Sequence, residues 1–314
     1  MSEPHSTGRV VSLNLSTAKG TIKTPVEAAT LDANGIVGDA HAGCWHRQVS
    51  MLSQETIAQF VEESGRETAP GEFAENLTIA GLDLSRAAVL DRFTLGEAEL
   101  ELTQIGKRCH GEGCDIYREV GKCIMPKEGV FCRVVRGGEI RVGDEIAYHP
   151  RPLKLCVITL SDRAARGDYT DRSGPRAEEL LREFFAEKRW HLDIHRELLP
   201  DDPAALDALL RQQIDGHADA VFTLGSTGAG PRDIAPEAML AVSEKTIPGI
   251  VEHIRAKFGA DKPAARLSRS VAALAGTTQL YALPGSVRAV EEYLGEILTT
   301  IEHLIHMIHA IDSH

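Results

Sequence analysis

Four segments in the second half of the chain place carboxylates, hydroxyls and glycines directly after short apolar runs. They are Ser161-Asp162-Arg163, Pro200-Asp201-Asp202, residues 225–230 and Pro284-Gly285-Ser286. In open α/β sheets, ligands bind outside the carboxyl ends of the strands. We therefore expect these segments to converge on one edge of a sheet, where such groups could bind an anion and a metal ion.

The glycine-rich loop at residues 225–230 could hold a phosphate group. Gly225, Gly228 and Gly230 let the backbone approach a ligand closely and turn several N–H groups toward one anion. The loop has neither the Gly-Lys-Ser/Thr of a Walker A motif nor the glycine spacing of the dinucleotide fingerprint. Taken alone, it fits a tight strand-to-helix turn equally well.

Arg232 and Asp233 follow this loop and favour the ligand-binding interpretation. A guanidinium at this place could bind an anion, and a carboxylate could bind Mg²⁺. Phosphoryl and nucleotidyl transfer need mostly positioning and charge neutralisation from the protein. Two carboxylates at strand ends, Asp201 and Asp233, would suffice for one metal ion.

The elements that must position these residues alternate between strand and helix. The pattern predicts strands at 153–160, 192–199, 220–224 and 279–283, helices at 175–188, 203–214 and 249–257, and a long helix from Val287. Pro175 suits the first turn of its helix. Such alternation is typical of a doubly wound, mostly parallel sheet with helices on both faces.

The first half of the chain has a different pattern. Short alternating runs recur at 9–15, 89–95, 99–105, 130–135 and 139–147. One helix is predicted at 53–63, with Ser53 as its N-cap. We expect a mainly β, barrel-like domain at 1–150 and an α/β domain at 151–314, separated by the proline-rich segment 149–152.

Composition limits the range of partners. A length of 314 residues favours two domains, and 34 basic against 46 acidic residues give a formal net charge of -12. This sign argues against a general binder of the nucleic-acid backbone. No apolar run reaches the roughly 18–20 residues of a membrane span, and the polar N-terminus lacks a signal-peptide core. We expect a cytoplasmic protein.

Four of the six cysteines, Cys109, Cys114, Cys123 and Cys132, lie in one segment. Their spacing does not repeat a short zinc-type pair, although a metal site stays open. Buried, inert thiols are a second interpretation. A third is that Cys109 is reactive, because the two basic residues before it would favour the thiolate.

The motifs of the second half resemble, in order and spacing, those of molybdopterin adenylyltransferases. The resemblance covers residues 153–314 through Ser161-Asp162-Arg163, Leu199-Pro200-Asp201, the 225–233 loop with Pro236-Glu237-Ala238, Pro248-Gly249, Leu267-Ser268-Arg269 and Leu283-Pro284-Gly285-Ser286. It implies a molybdopterin-binding α/β fold. It also implies transfer of AMP from Mg·ATP to the terminal phosphate of molybdopterin, giving adenylylated molybdopterin and pyrophosphate.

The resemblance also assigns site residues. Asp201 and Asp233 match the family's functional aspartates and are the expected catalytic and metal-binding residues. The expected pterin- and nucleotide-binding residues are Ser161, Asp162, Gly225, Ser226, Thr227, Gly228, Arg232, Ser268, Pro284 and Gly285. Because the attacking phosphate is already an anion, no general base is needed. Ser226 replaces a glycine of the family's loop, which costs about 1 kcal/mol or more if the position requires φ > 0.

The first half resembles a MOSC domain, the module named after the C-terminus of molybdenum cofactor sulfurase. The resemblance spans about residues 8–148, through 35–43, 73–78, the Cys109/Cys114 segment, 123–126, 129–131 and 138–144. It implies a β-rich module that binds the molybdenum cofactor or carries sulfur. Without it, residues 35–43 would fit a turn with a solvated Asp39 and His41. With it, the expected cofactor-pocket residues are Asp39, His41, Asn76, Cys114 and Cys123, and Cys109 is the expected catalytic thiol.

Three functional hypotheses follow. In the first, the C-terminal domain adenylylates molybdopterin and the MOSC domain receives, sulfurates or delivers the cofactor, with fusion raising the effective concentration of one site near the other. In the second, the protein is a non-catalytic cofactor carrier. The third is an unrelated nucleotide-binding regulator. A molybdenum-insertion enzyme or a sulfur-donor protein is the expected partner, and the resemblance implies a symmetric homo-oligomer, a trimer or a multiple of one.

Overall fold

A computed structural model describes residues 6–107 and 123–311 of the chain. Internal contacts divide the chain into two compact units. The N-terminal unit comprises the residues up to Arg151 together with Arg189–His191, and the C-terminal unit comprises Pro152–Lys188 and the residues from Leu192 onward. Within the described ranges, no helix is long and apolar enough to cross a membrane. The expectations for Cys109 and Cys114 concern residues outside the described ones.

The N-terminal unit is built mainly from strands. They are β1 (Ser6–Leu15), β2 (Thr24–Val26), β3 (Ala28–Asp32), β4 (Gly35–Ile36), β5 (Val49–Ser53), β6 (Leu77–Ala80), β7 (Arg92–Leu95), β8 (Ala98–Ile105), β9 (Val130–Arg136), β10 (Gly138–Arg141) and β11 (Glu145–His149). The helices among its described residues are α1 (Gln54–Ser64) and the short α2 (Met125–Glu128). The order β11-β7-β8-β9-β5-β6-β1 closes on itself because β11 also pairs with β1. The expected barrel is confirmed.

Alternating side chains fill the interior of this barrel. Val10, Leu13, Met51, Leu77 and Phe93 are fully buried members of one apolar cluster. A strand directs successive side chains to opposite faces, so the alternating pattern of the sequence places one face of each strand in the core. Closure also removes the unpaired edges that an open sheet would expose.

Helix α1 begins where the sequence predicts. The Ser53 hydroxyl accepts a hydrogen bond from the backbone N–H of Thr56 at 3.0 Å, which is the expected N-cap. The helix ends at Gly65, whose φ of 68° is the left-handed conformation of a helix C-cap.

One predicted strand of the N-terminal unit is wrong. The run 139–147 is two strands, β10 and β11, which belong to different sheets. Gly143, with a φ of 94°, lies between them in a turn. Ile140, Val142 and Ile146 keep the spacing of one alternating strand on both sides of the turn, so periodicity alone did not detect the break.

The C-terminal unit alternates strands and helices. Its strands are β12 (Pro152–Leu160), β13 (His191–Leu199), β14 (Ala220–Leu224), β15 (Lys245–Thr246), β16 (Val271–Ala275) and β17 (Thr278–Leu283). Its helices are α3 (Asp162–Ala165), α4 (Ser173–Phe185), α5 (Pro203–Asp215), α6 (Ala235–Val242), α7 (Pro248–Asp261) and α8 (Val287–Ile308). The sheet order is β13-β12-β14-β17-β16-β15. The expected α/β fold is confirmed.

The three central strands β12, β14 and β17 pair in parallel. Every residue of β14 is buried, as expected for a strand covered on both faces. Strands β16 and β15 extend the sheet in antiparallel orientation, and neither was predicted. The apolar run of β16 is followed closely by β17 with only a short turn at Gly276, which favours a hairpin over a helical crossover.

Candidate functional site

The ends of strands β12 and β13 are joined by hydrogen bonds that bring two carboxylates together. The N–H of Ser161 donates to the Leu199 carbonyl oxygen at 2.9 Å. The Asp162 carboxylate accepts from the N–H of Asp201 at 3.0 Å, and the Asp162 N–H lies 3.5 Å from Oδ2 of Asp201. Ser161, Asp162 and Asp201 therefore lie at one place, as predicted.

Oδ1 of Asp201 is buried and has no hydrogen-bond partner among the described residues. A buried carboxylate oxygen without a partner carries a desolvation penalty that a bound cation would remove. Oxygen ligands of this kind suit Mg²⁺. The residue thus fits the metal-binding role predicted for it.

Arg232 connects the glycine-rich loop to this pair of carboxylates. Its Nη1 donates to Oδ2 of Asp162 at 2.9 Å, although 79% of the Arg232 side chain is exposed. An exposed ion pair of this kind contributes little to stability. The guanidinium can therefore leave Asp162 for an incoming phosphate at small cost, which suits a ligand-binding residue.

Gly225 and Gly285 are required by the packing of the strand ends. Gly225 has a φ of 111°, and a Cβ atom there would lie 2.6 Å from the Leu160 carbonyl oxygen. A Cβ atom on Gly285 would lie 2.9 Å from the Cα of Gly225. These two expected binding residues let the loops after β12, β14 and β17 approach one another, whatever contact they make with a ligand.

The Asp233 side chain is held by the backbone of the glycine-rich loop. Its Oδ2 accepts from the N–H of Gly230 at 2.7 Å, and a Cβ atom on Gly228 would come within 2.7 Å of the same oxygen. In contrast, the N–H groups of residues 226–229 donate no hydrogen bond to any other residue in the described ranges. These amides are available to an anion, as in phosphate-binding nests.

Ser226 adopts the left-handed conformation, with a φ of 55°. The substitution of the family's glycine therefore carries the strain expected from the sequence. The side chain compensates in part, because its hydroxyl donates to the Arg232 carbonyl oxygen at 3.0 Å and accepts from the N–H of Ile234 at 2.9 Å. The serine hydroxyl thus adds two hydrogen bonds across the loop to the one that the carbonyl oxygen of residue 226 accepts from the N–H of Ala235 at 3.1 Å.

Replacing Ser226 by alanine should lower the free energy of unfolding by about 1–2 kcal/mol, because it keeps the left-handed strain and removes both hydrogen bonds. Replacement by glycine removes the strain together with the bonds, so its stability should stay within about 1 kcal/mol of the wild type. Urea denaturation of the two variants measures this. Equal stabilities for alanine and glycine would contradict the strain, and an alanine variant as stable as the wild type would contradict the compensation by the hydroxyl.

Arg269 is a loop-positioning residue that the sequence reasoning missed. Its side chain donates to the carbonyl oxygens of Gly228, at 2.6 Å, and Asp233, at 3.0 Å, and also forms an ion pair with Glu237. Arg269 belongs to the motif 267–269, of which Ser268 is the expected binding residue. The Ser268 hydroxyl instead bonds that of Ser270 at 2.6 Å.

Tyr169 was also missed. Its hydroxyl lies 2.9 Å from the Ser161 hydroxyl, and 45% of the residue is exposed. The Arg163 guanidinium lies 5.1 Å from the centre of the ring. A flat exposed ring beside the carboxylates can stack on a heterocycle. Its only sequence signal was its position shortly after the first strand end.

The N-terminal unit places Asp39 at the buried centre of a polar cluster. The side chain has no exposed surface. Its carboxylate accepts hydrogen bonds from the N–H groups of Ser16 and His41, at 3.1 and 2.9 Å, and from the Asn76 amide at 3.1 Å. Burial would raise the pKa of Asp39, but hydrogen bonds from His41 and Lys23 lower it well below its usual range. Asp39 therefore positions other residues.

Lys23 is the partner of Asp39 and was not predicted. Its side chain is fully buried, and its Nζ lies 2.5 Å from Oδ2 of Asp39 and 3.3 Å from Nδ1 of His41. Burial lowers the pKa of Lys23, while its contact with Asp39 opposes this change. A single lysine among polar residues gives no sequence signal of burial.

His41 and Asn76 occupy different positions in this cluster. The His41 side chain is 26% exposed, and its Nδ1 lies 3.2 Å from Asp39 Oδ1. Asn76 is buried; its amide nitrogen also donates to the Asn14 carbonyl oxygen at 3.1 Å, and its Oδ1 accepts from Ser50. Of the predicted residues brought together here, His41 is the one with surface for a ligand.

The described cysteines do not form a metal site. No group of three or more His, Cys, Asp or Glu residues is arranged for a metal ion within residues 6–107 and 123–311. Cys132 is buried, and burial raises the pKa of its thiol well above its usual value. Cys123 is half-buried and lines a cavity of about 850 Å³ beside α1. Its predicted role stays a prediction.

Comparison with known proteins bears on both units. The family model of the probable molybdopterin binding domain matches residues 156–303, and that of the MOSC domain matches residues 38–147. The molybdopterin adenylyltransferase of Helicobacter pylori J99 is 33% identical over 50% of this chain and 88% of its own length. That of Escherichia coli K12 is 32% identical over 45% of this chain and 72% of its own length. The solved structure of MoaB from Thermus thermophilus is 31% identical, with a TM-score of 0.45, over 50% of this chain and 97% of that one.

Proposed function

The chain belongs to the molybdopterin adenylyltransferase family through its C-terminal unit and also carries a MOSC domain, and from this premise we propose that it transfers AMP from ATP to molybdopterin. The products would be adenylylated molybdopterin and pyrophosphate. One observation carries the proposal: Asp162, Asp201 and Arg232 meet beside a loop whose amides are available to an anion.

Each group of this site suits one task in the transfer. The amides of residues 226–229 and the guanidinium of Arg232 would bind phosphate oxygens. Asp201, with its unpartnered Oδ1, and Asp233 would hold Mg²⁺, which when bound would neutralise charge on the phosphates. Asp162 holds Arg232 in place before a ligand binds. The exposed ring of Tyr169 would stack on one of the two heterocycles.

The terminal phosphate of molybdopterin would attack the α-phosphorus of ATP, and pyrophosphate would leave with the electrons of the broken P–O bond. The attacking oxygen is already charged, so the step needs no general base. The described edge accordingly presents carboxylates, hydroxyls, a guanidinium and backbone amides. Catalysis would come from positioning and from neutralising charge.

The role of the N-terminal unit would be to bind the cofactor, and to sulfurate or deliver it. Fusion would keep this unit near the product of the other at a high effective concentration. A soluble, cytoplasmic location, a homo-oligomer and a molybdenum-insertion enzyme or sulfur donor as partner complete the proposal. The alternative is a carrier that binds the pterin without turnover, and the strained Ser226 is the observation that favours it.

Incubating the full-length protein with molybdopterin, Mg²⁺ and ATP distinguishes these functions. Pyrophosphate and adenylylated pterin should appear in equal amounts, and both should depend on the pterin. Tight binding of molybdopterin without either product would support the carrier. Pyrophosphate release that does not depend on the pterin would contradict AMP transfer to it.

A further inference from the structure

Cationic groups gather around Trp45 in the N-terminal unit. The Lys19 ammonium and the Arg47 guanidinium lie 5.0 and 4.9 Å from the centre of the ring. The His41 ring is stacked nearly parallel to it, with centroids 6.2 Å apart. We call these four residues the Trp45 cluster. In a chain with a formal net charge of -12, such a local excess of positive charge is unusual.

Hydrogen bonds and buried polar groups fix the orientation of two rings of the Trp45 cluster. The indole N–H donates to the His41 carbonyl oxygen at 2.7 Å, which fixes the ring of Trp45. Nδ1 of His41 lies between Asp39 and the buried Lys23 Nζ. The opposite ring nitrogen, Nε2, is therefore the one available to a ligand, as in sites where a carboxylate orients a histidine.

No described carboxylate neutralises the positive charge of this region. Within the described ranges, Lys19, Arg47 and the nearby Lys107 form no ion pair with a carboxylate. Lys107 is close enough to Lys23 that its charge helps to lower the pKa of that lysine. The carboxylate of Asp39 is already paired with Lys23, whose Nζ lies 2.5 Å from Oδ2 of Asp39. A bound anion would balance this positive charge.

We propose that the Trp45 cluster binds a phosphate group, contacted by Lys19, Arg47 and Nε2 of His41. Arginine and lysine are the usual phosphate-binding residues, and charge-assisted hydrogen bonds from both are strong. The buried Lys23 contributes positive potential and positions His41 without touching the ligand. The same chemistry fits inorganic phosphate and the phosphate of a phosphorylated pterin.

This site deepens the cofactor-binding role proposed for the N-terminal unit and rests on that role only for the organic part of the ligand. Phosphate binding itself does not depend on AMP transfer in the C-terminal unit. The two can therefore fail separately, and one experiment can measure both.

The test titrates the full-length protein with three ligands, inorganic phosphate, phosphorylated pterin and the dephosphorylated pterin, and follows tryptophan fluorescence. The variant is Lys19→Gln/Arg47→Gln. The control, Lys127→Gln/Arg136→Gln, removes the same charge from exposed side chains of the same unit. We expect saturable binding by the wild type and the control, and at least a tenfold weaker binding by the Lys19/Arg47 variant.

Tighter binding of phosphorylated pterin than of inorganic phosphate would identify an organic phosphate as the ligand, and equal binding would identify phosphate itself. Equal binding of the dephosphorylated pterin would overturn the proposal, as would equal losses in the variant and the control. AMP transfer by the Lys19/Arg47 variant should remain at the wild-type rate. If the wild type binds phosphate here but makes no adenylylated pterin, the proposed function fails and this site stands.

Discussion

Replacement of Asp39 by alanine is expected to lower the free energy of unfolding of the N-terminal unit by about 3–5 kcal/mol, because it leaves a buried ammonium without its counter-charge. Lys23 has no exposed side-chain surface, and its Nζ lies 2.5 Å from the carboxylate that the substitution removes. The N–H groups of Ser16 and His41 lose an acceptor at the same time. Differential scanning calorimetry of the full chain measures the loss.

The double variant Lys23→Met/Asp39→Asn is the matched control. It removes both charges, and the asparagine oxygen can still accept from the backbone donors. We expect it to recover most of the stability, because replacing a buried ion pair as a unit is far less costly than breaking it. A loss of less than about 1 kcal/mol in Asp39→Ala, or a double variant as unstable as the single one, would contradict the buried pair.

Replacement of Asp201 by asparagine is expected to reduce the rate of AMP transfer by about 10²–10³-fold, the effect of removing one electrostatic contact to the transition state. The substitution preserves size and hydrogen-bonding capacity while removing the charge that would bind Mg²⁺. Its buried Oδ1 lacks a partner in the described residues. Asp233→Asn should reduce the rate by a similar factor, because it also removes a charge that would bind Mg²⁺. The asparagine oxygen can still accept the hydrogen bond from the N–H of Gly230, so the loop should keep its structure.

The neighbouring Asp202 provides the control for this experiment. Its carboxylate caps helix α5 by accepting from the N–H groups of Ala204 and Ala205 at 2.8 and 3.2 Å. Asparagine is an equally good N-cap, so Asp202→Asn removes a charge one residue away without disturbing the helix. Its rate should stay within about twofold of the wild type. Equal losses in the two variants would show a general effect of charge and not a metal-binding role for Asp201.

The sequence predicted the elements that local pattern determines. Strands β12, β14 and β17 are apolar runs with polar residues at their ends, and the rule that ligands bind at those ends located Asp162, Asp201 and the 225–230 loop. The resemblance to the family's loop added that Ser226 would be strained if its position requires φ > 0, and its φ of 55° meets that condition. The first of these inferences needs only residue type and order, and the second also needs the family's loop.

Other features depend on contacts between distant segments, which no local pattern contains. Arg269 holds the loop from 41 residues along the chain from Gly228. In the sequence, nothing distinguishes Lys23 from a surface lysine, and its burial becomes evident only from its contact with Asp39 in the fold. Strands β10 and β11 share one alternating run but pair in different sheets. In each case tertiary packing decided between structures that the sequence permits equally well.

Ser226 combines a local cost with contacts that only the folded loop supplies. The cost follows from residue type, but the two hydrogen bonds that its hydroxyl makes across the loop could not be predicted from the sequence. Those bonds tie together the segment that carries Arg232 and the start of helix α6. The serine is therefore compatible with an ordered ligand loop, which both AMP transfer and the carrier alternative require.

Transfer of AMP to molybdopterin by the C-terminal unit is tested most directly by the fate of labelled ATP. With ATP labelled at the α-phosphate, the label should appear in the pterin product, and with ATP labelled at the γ-phosphate it should appear in pyrophosphate. Label from the γ-position in the pterin would contradict AMP transfer. So would α-label that is released as free AMP while the pterin remains unlabelled.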